Sequence, residues 1–177
     1  MGDSSNKLFK ADSDWKNNAC LNFTEDRWDL YAEGYKKASD LLVTHIQINQ
    51  VDQDFLVYPI VFNYRQYLEL KLKDILLVAQ KVFNKTFILP IHHDINMIWK
   101  DVREIIEQNW SDTPKKDLNQ VGKLINEFSN ADKISMAFRY PIDKSGDVHL
   151  KNICHINLRN LKEHIENIST LLDNVFV

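Results

Sequence analysis

The chain has 177 residues, 44% of them hydrophobic, with 22 Lys and Arg against 25 Asp and Glu and a net charge of −3. That length suits one domain with a real core, and the slightly acidic balance excludes a broad basic footprint for nucleic acid, so any RNA contact must be local. Four Gly and four Pro are too few for a turn-rich all-β fold, two Cys too few for a disulfide framework, and no apolar run reaches membrane-spanning length.

The composition, rich in Leu, Ile, Lys, Asn and Asp, predicts an all-α protein. The expected architecture is an antiparallel bundle of four to five helices with a small loop or hairpin insertion before the last. Residues 1–14 are polar and read as a flexible arm, too polar for a signal peptide, and 15–177 reads as a single helical domain. A reducing cytoplasm is the expected location.

Thr24 is the expected cap of the first helix, with Glu25 and Asp26 in its first turn, and the helix runs to about Ile48. Trp28, Tyr31, Tyr35, Ala38 and Leu42 follow the spacing of one buried face, with His45 on its flank. The second helix runs from about Asp54 to Phe83, with Pro59 near its start. It is apolar on nearly every side from Ile60 to Val78, as the central helix of a bundle should be. Against that background Arg65, Glu69 and Lys73 stand at successive i+4 positions. They form either a salt-bridge ladder on the one wet face or a polar seam turned toward a site or a partner.

A connection ending at Pro90 leads to His92-His93-Asp94 and a third helix through about Trp110, buried along Ile95, Ile98, Val102, Ile105 and Ile106. Adjacent histidines on a helix face different directions, and no second ligand cluster has metal-site spacing, so the two serve capping or packing and no metal is expected. Thr113 as cap with Pro114 at the first helical position starts a fourth helix to about Asn130, using Leu118, Val121, Leu124, Ile125 and Phe128. Asp143-Lys144-Ser145-Gly146 reads as a turn, with Val148–Leu150 as a short extended return. Arg139, between Phe138 and Tyr140, either packs its stem or stacks on a base as a substrate contact.

Asn157 caps the expected last helix, whose apolar stripe is Leu158, Leu161, Ile165, Ile168, Leu172 and Val175. That stripe lies roughly 70° from His164 and roughly 150° from Arg159 at 100° per residue, so His164 is a flank residue and Arg159 points away from the core. Arg159, Asn160 and His164 are nonetheless the residue types a metal-free ribonuclease needs. Arg grips phosphate with a fork of donors and His moves a proton near neutral pH. Four Trp and fifteen Phe plus Tyr exceed what a small bundle easily buries, which predicts a homodimer or a heteromeric protein partner.

Tyr58-Pro59, the run Tyr64-Arg65-Gln66-Tyr67-Leu68-Glu69-Leu70-Lys71-Leu72-Lys73, the following His93-Asp94 and then Phe138-Arg139-Tyr140-Pro141 resemble bacterial proteins of the HEPN superfamily (higher eukaryotes and prokaryotes nucleotide-binding) over about residues 25–175. The resemblance implies a ribonuclease of toxin–antitoxin or phage-defence type that needs neither metal nor cofactor. It implies that Arg159, His164 after four intervening residues, and Asn160 beside the Arg form a site shared between two subunits. There the RNA 2′-OH attacks the adjacent phosphate, His164 transfers the proton, Arg159 stabilises the developing charge and Asn160 orients. The same resemblance also implies the alternative, a non-catalytic helical module that binds a partner protein or nucleotide.

Overall fold

The computed structural model describes residues 7–24, 27–84, 91–110 and 112–175. Their helices are α1 (Trp28–Asn49), α2 (Gln53–Phe83), α3 (Ile95–Asn109), α4 (Lys115–Ala131) and α5 (Leu158–Asp173), preceded by one 3-10 turn at Trp15–Asn17. The molecule is all-α. The segment before α5 holds one isolated antiparallel bridge, between Ile142 and Val148, in place of an extended return. None of the described helices is long and apolar enough to cross a membrane.

The long helix α2 is central because it is apolar all round. Tyr64, Tyr67, Leu68 and Leu72 are fully buried in it, against α1 on one side, α3 on another and α5 on a third. Burying each such side chain contributes about 1.5–3 kcal/mol. Pro59 falls in the second turn of α2, past the first four N–H groups that have no helical partner, so it removes one i→i−4 bond, the one a residue there would donate toward Phe55.

Cross-helix bonds define the directions. Ser39 Oγ donates to the Ile60 carbonyl (2.9 Å) and Tyr64 Oη to Asp40 (2.7 Å), while the earlier Asp29 meets the later Lys71, so α1 and α2 are an antiparallel pair. Tyr67 Oη donates to Ser169 Oγ (2.8 Å), and Lys71 Nζ bridges Asp29 (3.0 Å) and Asp173 (2.8 Å), which lays α5 along α2 in the same direction. The α3–α4 pair is antiparallel, with Arg103 reaching Asn119 and Asn96 reaching Asn126. His93 meets Glu69 while Phe83 meets Trp110 edge to face, so α3 also runs with α2. The bundle thus has α2, α3 and α5 in one direction and α1 and α4 in the other, and the antiparallel order holds for every neighbouring pair except those of α2 with α3 and with α5.

Several starts and faces differ from the sequence reading. The first helix begins at Trp28, after Arg27 folds back to donate from Nε to the Thr24 carbonyl (3.0 Å), so Thr24 is not its cap; Glu25 and Asp26 lie outside the described residues. Its buried face is Ala32, Ser39 and Val43, because that is where α2 packs, and Tyr31 is 55% exposed. His45 is exposed and pairs with Asp52 (3.0 Å) and Asn49. Pro114 occupies the cap position of α4 rather than its first helical position. Asp94 caps α3 by accepting from Asn96 N–H, and Asn157 caps α5 by accepting from Asn160 N–H. Residues 7–14 are irregular and exposed, with Asp12 and Asn18 hydrogen-bonded to each other.

Candidate functional site

Two charged constellations of similar composition sit in opposite environments. The first is the seam of α2. Arg65, Glu69 and Lys73 are 0%, 1% and 6% exposed, so they lie in the core and not on a wet face. The i+4 ladder itself is present: Arg65 Nη1 to Glu69 Oε2 is 2.9 Å and Lys73 Nζ to Glu69 Oε1 is 2.8 Å. What permits the burial is that the partners are supplied by other elements. Arg65 Nε donates to the Asp132 carbonyl (2.9 Å), and its Nη2 donates to the carbonyls of His93 and Lys133. The His93 imidazole reaches Glu69 Oε1 at 2.8 Å. Burial alone would raise the Glu69 carboxyl, but the bonds from Lys73, Arg65 and His93 outweigh it and hold the group below the ordinary carboxylate range. One guanidinium therefore joins the middle of α2 to the start of α3 and the end of α4.

The turn that Arg65 holds carries further polar atoms. Asp132 accepts from the Met136 N–H (2.7 Å) with Oδ1, while its Oδ2 and the Ser135 hydroxyl are buried without a hydrogen-bond partner. Ser135 has φ +61° in the left-handed region. Arg139, just beyond, is exposed, and its guanidinium lies over the rings of Phe62 (5.6 Å) and Tyr140 (5.3 Å). Of the two expectations for Arg139, the structure displays packing on its own aromatic neighbours.

The second constellation is on α5. His164 is half-buried, with Nδ1 buried and without a hydrogen-bond partner, and it lines a groove of about 520 Å³ together with Asn160. The groove lies between α4, α5 and the segment leading into α5, with Phe128, Phe138 and Leu161 among its apolar walls. Arg159 does not line it. Its side chain is 73% exposed, and its Nε stands 3.9 Å from Glu163 Oε1, also in water. Within one chain, then, Asn160 and His164 are brought together and Arg159 is left on the outer surface.

The electrostatics of this groove were not visible in the Arg–His spacing. Among its described lining residues are Glu127 and two histidines, His155 and His164, and there is no Lys or Arg. A second cavity, of about 780 Å³, adjoins it; Leu124 and Ile168 line both. Among the described residues the second lining also lacks Lys and Arg and includes Asp112 and Asp117. The signal that could have found this is the α4 face itself, where Asp117, Val121, Leu124, Glu127 and Phe128 recur at helical spacing.

Apolar surface is also left uncovered elsewhere. On α1 the face opposite Ala32 and Val43 carries Leu30, Leu41 and Ile48, all exposed. Among the described residues no group of three or more His, Cys, Asp or Glu is placed to hold a metal ion. No protein-family model matches the chain, and no curated protein and no solved structure matches it either.

Proposed function

We propose that this chain is a HEPN-like helical module that binds a protein partner, and that Arg159, Asn160 and His164 do not form a ribonuclease centre. The observation that carries the reading is the lining of the α4–α5 groove. His164 and Asn160 face it, Glu127 faces it, and among the described residues no Lys or Arg does. RNA is held chiefly through its phosphates, and neutralising them takes Lys or Arg. Glu127, exposed at the rim of the groove, adds a like charge that a phosphate would meet there. The proton-transfer group without a phosphate clamp also lacks the electrostatic term that usually contributes most to catalysis.

The exposed Leu30, Leu41 and Ile48 on α1 and the apolar walls of the groove fit association instead. The ribonuclease reading requires a second copy to bring its Arg159 over Glu127. The test is direct. Purified protein at micromolar concentration is incubated with structured and single-stranded RNAs, as wild type, Arg159→Ala, His164→Ala and an equimolar mixture of the two variants. No cleavage is expected in any arm. Chelator-resistant cleavage leaving 2′,3′-cyclic phosphate, lost in each variant and partly restored in the mixture, overturns the proposal in favour of a composite nuclease.

A further inference from the structure

Two cavities lie along α4 and α5, and Leu124 and Ile168 line both. One end is lined by the end of α3, the α3–α4 connection, the first half of α4 and the last turns of α5, the other by the last turns of α4, the segment leading into α5 and the first half of α5. The result is a trough that runs along the helix pair. From Asp117 to Ala131 on α4 is fourteen residue steps, about 21 Å, which matches a helix of roughly fourteen residues. Its floor is buried, with Val121 and Ile168, and its shoulders are half-buried Leu124, Phe128, Leu161 and Leu171. This is the arrangement by which a groove accepts the apolar face of an amphipathic helix.

Charge selects which helix. The α4 shoulder offers Asp117 and Glu127, and the α5 shoulder offers amides such as Asn160 and Asn167; among the described residues neither cavity lining contains Lys or Arg. The half-buried His164 adds a buried Nδ1 that has no hydrogen-bond partner among the described residues. An acidic helix would meet like charge at Asp117 and at Glu127. We propose that the α4–α5 trough is a docking site for a basic amphipathic helix of a partner protein, with the partner's apolar stripe over Leu124 and Ile168 and its Lys or Arg beside Asp117 and Glu127. This rests on the reading of the chain as a binding module and names the chemistry of what it binds.

The probe is a pair of sixteen-residue helical peptides with the same leucine stripe, one carrying lysine and the other glutamate at all flanking positions, titrated by fluorescence anisotropy against the full chain. The lysine peptide is expected to bind at least tenfold tighter, more weakly as salt rises. The double variant Asp117→Lys with Glu127→Lys, both at exposed positions, is expected to reverse the order. Leu161→Ala is expected to weaken the lysine peptide at least fivefold, while Leu41→Glu on the outer face of α1 leaves it unchanged. Thermal melts show which variants are folded, and the charge-reversal pair decides the matter if Leu161→Ala unfolds. Equal binding of the two peptides, or a preference untouched by charge reversal, overturns the inference. So does a wild-type chain that dimerises through the trough and loses the dimer with Leu161→Ala. RNA cleavage by the wild type defeats the binding-module reading itself; absence of cleavage with no peptide preference defeats only the assignment of the trough.

Discussion

Arg65 and Arg159 stand on two helices that run in the same direction, and each has a carboxylate four residues later, yet they do opposite things. Arg65 is fully buried and donates to Glu69 and to three backbone carbonyls on two other elements. Arg159 is largely in water, 3.9 Å from Glu163. An arginine motif read along one helix says nothing of which case applies; the difference lies in what the rest of the fold brings to the guanidinium. The buried seam is the joint of the bundle, and the exposed motif is surface. A lost partner in the joint leaves a charge stranded in low dielectric, whereas a lost partner on the surface is replaced by water.

The largest expected effect comes from stranding those charges. Glu69→Ala removes the shared partner of Arg65, Lys73 and His93 and should cost about 3–5 kcal/mol in urea unfolding. Replacing Arg65, Glu69 and Lys73 together with Met, Leu and Met should cost less than the single change; a triple variant as unstable as the single one would break the comparison. The pH dependence has a definite sign. Glu69 is held below its ordinary value of 4.5, so its contribution is present above that value and is lost as pH falls through the depressed folded value. The deficit of Glu69→Gln relative to wild type should therefore be largest near neutral pH and shrink in acid.

How much of this was legible depends on the range of the interaction. The period of the apolar positions is local, and it placed α2 at the centre and all five helices within a few residues of their observed spans. The Asn157 cap was legible for the same reason, since it spans only three residues to Asn160. The seam was visible as a pattern, but its burial was not. That depends on the carbonyls of His93, Asp132 and Lys133, up to 68 positions away, which no periodicity in α2 reports. The α1 face was read in part: Tyr35 and Leu42 pack against the core, Tyr31 is exposed, and Ala32, Ser39 and Val43 were missed because their burial comes from α2, whose Ile60 carbonyl accepts from Ser39 Oγ. On α5 the motif was legible as residue types, while Glu127 in the same groove belongs to α4 and was not.

Smaller effects sharpen the contrast. Asn157→Ala removes the α5 cap bond to Asn160 N–H and should cost about 1 kcal/mol in thermal or denaturant unfolding. Arg139→Ala takes a cation from the rings of Phe62 and Tyr140 and should cost about 0.5–1 kcal/mol by the same measurement. Arg159→Ala should stay within about 0.5 kcal/mol of wild type. A loss above 2 kcal/mol for Arg159→Ala would mean that this side chain has partners comparable to those of Arg65, and the surface assignment would fall.

The central claim is that the α5 constellation, with Glu127 in its groove and Arg159 outside it, does not hold RNA phosphate. It is tested most directly by fluorescence anisotropy of a labelled single-stranded RNA titrated with the wild-type chain at low salt, beside Arg159→Ala and Glu127→Gln. No saturable binding up to tens of micromolar is predicted for any of the three. Saturable, salt-sensitive binding by the wild type that is lost in Arg159→Ala would contradict the account, and binding that strengthens in Glu127→Gln would locate the RNA in the very groove the account closes to it.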